Sequence, residues 1–107
     1  MKSEGNRRIF GMLGFAMRAG KLVIGTELVC SSMPRGKVKL VLISSSASEA
    51  TKKKLLTKSE YYGISTIEVD IDTERLGKTL GKTYSPVCVA VTDEGFASEI
   101  IKATVQN

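Results

Sequence analysis

The spacing of apolar residues predicts that helices and strands alternate along the chain. Over residues 6–19 the apolar side chains recur every three or four positions, the interval of one helix face, and Gly20 provides a C-terminal stop. The apolar residues on that face are Ile9, Phe10, Leu13, Ala16 and Met17. We therefore expect a first helix over residues 6–19, with this face turned toward the core.

A second, shorter helix is predicted after the apolar run Leu22–Ile24. Thr26 stands where its hydroxyl can N-cap this helix, which then extends to about Met33. Pro34 ends or bends it, because proline lacks an amide hydrogen and collides with the preceding turn. Val29 lies one turn before Met33, so we expect both side chains to point inward.

The middle of the chain predicts a buried strand followed by a long helix. Val38–Ser44 is an almost continuous run of β-branched residues and leucine, which is typical of a strand covered on both faces. Ser46 is followed three residues later by Glu49, a capping box that predicts a helix closing at Gly63. The lysines at 52–54 fall on this helix, and we expect them to face solvent.

The C-terminal part continues the alternation. Strands are predicted over residues 64–69 and 87–92, and between them lies a short helix that Asp72 caps and Gly81 follows. Asp93 can cap a last helix. The residues expected to face inward on that helix are Phe96, Ile100 and Ile101.

These elements together predict an α/β fold. The predicted strands are apolar on both sides, and each predicted helix has one apolar face. Helices must therefore cover both faces of the sheet. We predict a three-layer α/β/α sandwich with a central mixed four-stranded sheet. Residues 1–107 form a single domain in this interpretation, and the polar end at 105–107 is expected to fray.

Length and residue types exclude several classes of protein. The longest apolar runs are far shorter than the ~20 residues of a membrane helix. Arg18 interrupts the N-terminal segment where a secretory signal is apolar. Cys30 and Cys88 occur within predicted elements and form no CxxC pair, so we expect two buried, reduced thiols. These features predict a cytoplasmic protein without a membrane segment.

Catalytic residues are scarce. The chain contains no histidine, which removes the commonest general base and the commonest metal ligand. The acidic pairs Asp70/Asp72 and Asp93/Glu94 precede predicted helices, where carboxylates act as caps. No GxxxxGKS/T loop is present, and no GxGxxG turn follows a strand. We therefore predict no enzymatic activity, metal or cofactor. A catalytic Cys30 is the weakest alternative, because no base lies near it in the sequence.

Charge is distributed unevenly along the chain. The net charge is +5, yet residues 1–58 contain 12 Lys and Arg against 3 Asp and Glu, whereas residues 59–107 contain 4 against 8. If each half clusters in space, the molecule has a basic side that attracts polyanions. Small domains with a high isoelectric point often bind no polyanion, so charge alone leaves nucleic-acid binding open.

The segment 19–36, AGKLVIGTELVCSSMPRG, combines a Gly-Thr helix start with an Arg-Gly helix stop. The main-chain N–H groups and the dipole of a helix favour anions at such a start. Lys21, Arg35 and Lys37 are expected to flank the start and to contact phosphate. RNA binding is therefore the leading interpretation.

Three stretches, taken in order, resemble one known family. They are GKLVIGTELVCSSMPRGKVKLVLIS at 20–44, SEATKKKLLTKSEYYGI at 48–64 and ERLGKTLGKTYSPVCVAVTDEGF at 74–96. Over residues 7–103 the chain resembles the kink-turn-binding ribosomal protein L7Ae family, and in particular its small bacterial YlxQ-type branch. The resemblance implies one RNA-binding domain of this ribosomal type, with an α/β/α sandwich fold.

The resemblance also implies where RNA is bound. The family grips a sharply bent helix–internal loop–helix through the helix that here begins at Gly25 and through the loop before the last strand. In the family that helix start carries Gly-Thr-Asn-Glu with a lysine three residues later, and these side chains reach the guanines of tandem sheared G·A pairs. Here Gly25 and Thr26 match, whereas Glu27, Leu28 and Ser31 replace the Asn, Glu and Lys.

The loop at 83–87 is expected to cover an extruded nucleotide. Pro86 and Val87 would offer an apolar surface and Tyr84 a stacking face. The predicted RNA-contacting residues are Lys21, Gly25, Thr26, Glu27, Ser31, Arg35, Lys37, Thr83, Tyr84, Ser85, Pro86 and Val87. The alternatives are a partly buried loop aromatic for Tyr84 and a solvated face for Glu27, Ser31 and Arg35, which share four-residue spacing.

Two hypotheses about function remain. The first is a non-enzymatic, monomeric, ribosome-associated protein that recognises kink-turn-like structured RNA, such as ribosomal RNA, mainly by its shape. The second is a protein-interaction or accessory module of an RNA-processing assembly that has lost base-specific reading, which the replacements at Glu27, Leu28 and Ser31 support. The two hypotheses differ in whether the protein forms a salt-sensitive complex that depends on G·A pairs.

Overall fold

The computed structural model describes residues 2–105, with side chains described over residues 7–104. Within this part the helices and strands are α1 Lys2–Arg18, β1 Leu22–Ile24, α2 Thr26–Ser32, β2 Leu40–Ser44, α3 Glu49–Tyr62, β3 Ser65–Val69, α4 Thr73–Thr79, β4 Cys88–Val91 and α5 Glu94–Val105. A 3-10 turn, Met33–Arg35, continues α2. Of the residues predicted to fray, 105–107, Val105 is the last residue of α5, and 106–107 lie outside the described residues.

The four strands form a mixed sheet with the spatial order β1–β4–β2–β3. β4 runs antiparallel to both of its neighbours, while β2 and β3 are parallel. β2 is therefore an inner strand, and all five of its residues are buried. The prediction of a central strand from its continuous apolar run is confirmed.

Two apolar cores lie on the two faces of the sheet. Successive strand residues point to opposite faces, so Leu40 and Leu42 of β2 join one core while Val41 and Ile43 join the other. Helices α1, α4 and α5 complete the first core, and α2 and α3 complete the second. The predicted three-layer α/β/α sandwich is confirmed.

The predicted N-cap of α2 is wrong by one residue. Gly25 holds the cap position without a side-chain hydrogen bond, and Thr26 is the first helical residue. The Thr26 hydroxyl instead accepts a hydrogen bond from the Cys88 thiol, with 3.6 Å between oxygen and sulfur. The helix ends at Ser32, one residue before the predicted end, because Pro34 favours the tighter turn that follows.

The predicted capping box of α3 is also wrong. Ser48 caps this helix, and its hydroxyl accepts a hydrogen bond from the amide of Thr51 at 3.2 Å. Glu49 is consequently the first residue of the helix, too early to reach back to the cap. The Ser46 hydroxyl lies 2.8 Å from the Ser44 hydroxyl and contributes to the turn before the helix.

The other predicted caps agree with the structure, whereas α1 begins at Lys2 rather than at residue 6 and one side chain of α5 is misassigned. Asp72 caps α4 by accepting hydrogen bonds from two amides, and Asp93 Oδ2 accepts one from the amide of Phe96 at 2.9 Å. Gly63 ends α3 in the left-handed conformation. Ile100 is buried, but Ile101 is exposed, because adjacent residues on a helix point about 100° apart.

Candidate nucleic-acid interface

The start of α2 and the loop before β4 meet at one end of the sheet. The amide of Gly25 donates a hydrogen bond to the carbonyl oxygen of Cys88 at 3.1 Å. Beside it, the amide of Ser44 at the end of β2 donates to the carbonyl oxygen of Val87 at 2.8 Å. We call this the Gly25 end of the sheet. It brings together two segments that are about 60 residues apart in the sequence.

The backbone of Gly25 turns the chain from β1 into α2. Its φ of 98° and ψ of 149° are in a region that side chains with a Cβ rarely adopt. Nothing lies within 4 Å of where a Cβ would be, so the requirement for glycine is conformational rather than steric. The backbone conformation at the Gly25-Thr26 pair therefore sets the direction in which α2 leaves the sheet.

The amides at the start of α2 include three without a partner inside the helix. Val29 is the first residue whose amide bonds back along the chain, to the carbonyl oxygen of Gly25 at 2.9 Å. The amides of Thr26, Glu27 and Leu28 precede it, and no side chain caps the helix. The Gly25 amide is not among them, because it donates to the carbonyl oxygen of Cys88. The available donors therefore begin at Thr26.

The loop before β4 packs against α4. The carbonyl of Tyr84 and the ring of Pro86 both lie close to Gly77. Pro86 is buried and Val87 half-buried, so the prediction that Pro86 offers an exposed apolar surface is wrong. Proline here anchors the loop. The residues that the loop presents to solvent are Thr83, Tyr84 and Ser85, and Tyr84 is 51% exposed.

Three predicted phosphate contacts lie away from the start of α2. The carbonyl oxygen of Lys21 accepts from the amide of Thr92, at the opposite end of β4 from Cys88. Arg35 follows α2 by three residues, and the nine residues after Thr26 extend about 14 Å along a helix. Lys37 lies two residues beyond Arg35, before β2. The backbone of these three residues therefore lies away from the start of α2, and their contact with phosphate stays a prediction.

A lysine of α3 occupies the position that those cations were expected to fill. Lys54 Nζ lies 3.9 Å from Glu27 Oε1, in the first turn of α2. The two helices are in contact in the second core. Sequence reasoning assigned the lysines at 52–54 to a solvated face. The spacing of apolar residues in the sequence does not indicate the position of Lys54, because only the packing of α3 beside α2 places this side chain at the Gly25 end.

The outer face of α2 is exposed and partly apolar. The Glu27 side chain is 94% exposed and Leu28 is 60% exposed, an unusual position for leucine. The Ser31 and Ser32 hydroxyls both donate to the carbonyl oxygen of Leu28, at 3.1 and 2.8 Å. Glu27 and Leu28 are thus the side chains of the first turn that are open to a ligand, whereas the Ser31 hydroxyl already bonds to its own helix.

The two thiols are unsuited to nucleophilic catalysis. Cys30 and Cys88 are both free and buried, as predicted. Burial raises the pKa of the Cys88 thiol above its ordinary value of 9.0, the Thr26 hydrogen bond opposes this rise, and nearby Cys30 adds to it. Cys88 therefore remains protonated at neutral pH.

The described part of the chain contains neither a cluster of metal ligands nor a membrane-spanning helix. Among the side chains of residues 7–104, no group of three Cys, Asp or Glu comes together as metal ligands do. No helix in the same part of the chain has the length and apolar character needed to cross a bilayer.

Comparison with known proteins gives a match over most of the chain. Residues 7–101 match the model of the ribosomal protein L7Ae/L30e/S12e/Gadd45 family. The RNA-binding protein YlxQ of Bacillus subtilis (strain 168) is 41% identical over 92 residues, covering 86% of this chain and 90% of the relative. YlxQ of Enterococcus faecium, also described as an RNA-binding protein, is 38% identical over 98 residues, covering 91% and 92%.

Solved structures show the same fold. A protein of unknown function from Bacillus halodurans C superposes with a TM-score of 0.81 and 37% identity, covering 89% of this chain and 94% of the other. The 15.5kD RNA binding protein of Giardia lamblia has a TM-score of 0.75, covering 96% and 87%. Its identity is 14%, so this second similarity concerns the fold alone.

Proposed function

Because the chain belongs to the ribosomal protein L7Ae/L30e/S12e/Gadd45 family, we propose that it binds RNA through the Gly25 end of its sheet. The two YlxQ relatives, at 38% and 41% identity, are RNA-binding proteins by name. The L7Ae/YlxQ family is non-enzymatic, which agrees with the prediction that this chain is not an enzyme. We propose further that the RNA is a kink-turn or a similarly bent helix.

The proposed location of the RNA-binding surface rests on one hydrogen bond. The hydrogen bond from the Gly25 amide to the Cys88 carbonyl sets the start of α2 beside the entry to β4. The helix start contributes polar main-chain donors, and the loop that leads to β4 contributes the exposed ring of Tyr84. A bent RNA that exposes both backbone phosphates and an unstacked base can contact the two segments at the same time.

Each part of this surface suits a different part of the RNA. The amides of Thr26, Glu27 and Leu28 can donate to phosphate or base oxygens. The Glu27 carboxylate can accept from guanine N–H groups, while Leu28 and Tyr84 supply apolar and stacking contacts. Thr83 and Ser85 flank Tyr84 with hydroxyls. In this proposal Pro86 and Val87 hold the loop, and Lys21, Arg35 and Lys37 lie outside the contact surface.

A protein-interaction module is the second candidate. The exposed Leu28 at the start of α2 favours it, since a leucine in that position can pack against a protein partner as well as against a nucleotide. Under this second candidate the chain does not recognise RNA bases, and it serves as an accessory module of an RNA-processing assembly. The two candidates differ in whether replacing the G·A pairs of an RNA changes its affinity.

A titration with two RNAs tests the proposal. The protein is titrated at several salt concentrations against a kink-turn RNA and against the same RNA with its G·A pairs replaced by Watson–Crick pairs. We expect tighter binding to the kink-turn RNA, with an affinity that falls as salt rises because phosphate contacts release counterions. Equal, weak binding to both RNAs contradicts kink recognition and favours the interaction module.

The setting of this activity is part of the proposal. We propose a monomeric, cytoplasmic protein whose residues 1–107 act as one RNA-binding domain within a ribosome or another ribonucleoprotein particle. Sedimentation of cell extracts over a sucrose gradient tests the ribosomal setting, with detection of the protein in each fraction. Co-migration with ribosomal particles supports it, and recovery at the top of the gradient contradicts it.

A further inference from the structure

We propose that Lys54 of α3 is a phosphate-binding residue of this surface, so that the bound RNA extends from the start of α2 onto α3. The inference rests on the proposed binding of RNA at the Gly25 end. It assigns the cationic contact to a helix that sequence reasoning placed outside the site. It also excludes Lys53, the adjacent residue, from the contact.

The position of Lys54 follows from the packing of α3. Leu55 and Ser59 are buried and define the side that faces the sheet. Lys52 lies to one side of them, where its Nζ is 3.4 Å from Glu68 Oε2 of β3. Lys54, two residues later, is rotated about 160° from Lys52 and lies on the side of α2. Lys53 is rotated away from the sheet, toward solvent.

The charge of Glu27 makes a neighbouring cation necessary. Its carboxylate lies in the first turn of α2, beside the amides that are proposed to donate to RNA. A negative charge there repels phosphate unless a cation compensates it. Lys54 Nζ, 3.9 Å from that carboxylate, is such a cation. Of the cations predicted for this role, Arg35 and Lys37 follow the C-terminal end of α2, and Lys21 precedes β1.

The exposure of the pair leaves Lys54 able to bind a ligand. Its side chain is 51% exposed and that of Glu27 is 94% exposed. Ion pairs in such positions contribute little to stability, because water screens them and both side chains lose freedom on pairing. A phosphate can therefore draw Lys54 from Glu27 at little cost. The Glu27 carboxylate is then free to accept from a base.

Two alanine variants with the same change of charge test the inference. Lys54→Ala and Lys53→Ala each remove one lysine from adjacent, exposed positions of α3, and alanine favours the helix. We expect Lys54→Ala to bind the kink-turn RNA about tenfold more weakly, the effect of one lost charge-assisted contact. Its plot of log affinity against log salt is expected to become less steep by about 0.7–0.9. Lys53→Ala is expected to remain within about twofold of the wild type.

The outcomes separate this inference from the proposed function. Affinities and salt slopes that are equal in the two variants, whether both unchanged or both reduced, overturn the role of Lys54. A wild-type protein that does not distinguish the kink-turn RNA from the RNA without G·A pairs overturns the proposed function instead. Circular dichroism melting of both variants serves to verify that each is folded before it is titrated.

Discussion

The carbonyl oxygen of Tyr84 lies in the space that a Cβ atom on Gly77 would occupy. Gly77 is buried within α4, and the absence of its side chain also lets the ring of Pro86 approach the helix. These contacts hold the loop that presents Tyr84 to solvent. The identity of residue 77 therefore controls where the loop before β4 lies.

Gly77→Ala is expected to displace this loop and destabilise the protein. The added methyl group collides with main-chain atoms, and overpacking of this kind costs about 1–3 kcal/mol. Urea unfolding measures the loss, and titration with kink-turn RNA measures the decrease in affinity. Gly11→Ala is the control, because nothing lies within 4 Å of a Cβ at that position of α1. It is expected to stabilise the helix by about 0.5–1 kcal/mol. Equal free energies of unfolding for the two variants would contradict the account.

Gly25→Ala is expected to strain the turn between β1 and α2 without any collision. A φ of 98° with a ψ of 149° is accessible mainly to glycine, and forcing another residue into such a region costs about 1–3 kcal/mol. Gly36→Ala provides a comparison at φ 77°, where the left-handed helical region costs about 1–2 kcal/mol. Urea denaturation measures the free energy of unfolding of both variants and shows which substitution costs more stability. RNA affinity should fall more for Gly25→Ala, and a larger fall for Gly36→Ala would place the binding surface at the wrong end of α2.

Tyr84→Ala is expected to weaken RNA binding while leaving the fold intact. Stacking of one base on an aromatic ring contributes about 1–3 kcal/mol, and Tyr84→Phe retains the ring and should therefore retain most of the affinity. Tyr61→Ala is the matched control, since this ring is 82% exposed near the C-terminal end of α3. Isothermal titration calorimetry at one salt concentration compares the three variants. A similar loss for both alanine variants would argue against stacking at Tyr84.

The buried Cys88 thiol is expected to make stability depend on alkaline pH. Because its pKa is raised above 9.0 in the folded protein, the thiol ionises at lower pH in the unfolded chain. The resulting contribution to the free energy of unfolding is complete below pH 9. It is lost as the pH rises from 9 through the higher native pKa. Urea unfolding between pH 7 and 11 measures it as the difference between wild type and Cys88→Ala. The same dependence of the free energy of unfolding on pH in wild type and in Cys88→Ala would contradict this assignment.

The fold could be predicted largely from local patterns. The apolar run in β2 indicates burial on both faces, and glycines such as Gly63 mark helix ends, because both effects act through neighbouring residues. The errors are in the choice of cap. Ser46 and Ser48 can each begin a helix, and the strand that ends at Ser44 decides between them by engaging the Ser46 hydroxyl.

The candidate site could be predicted only in part. Gly25 is recognisable because its role depends on its own backbone. Arg35 and Lys37 are close to Gly25 in the sequence, yet the direction of α2 carries them to the far end of the helix. Lys54 lies 27 residues from Glu27, and only the packing of α3 beside α2 brings the two side chains together. Long-range packing, rather than residue type, determines which charges reach the site.

The hydrogen bond between Gly25 and Cys88 ties the start of α2 to the strand that the Tyr84 loop enters. The two contact segments thus adjoin neighbouring strands of one sheet, β1 and β4. The distance between them is therefore set by the fold of the protein. In the proposed complex the binding surface of the protein is preorganised, so the protein loses little conformational entropy on association. The flexible partner is the RNA, which must adopt the bend that fits.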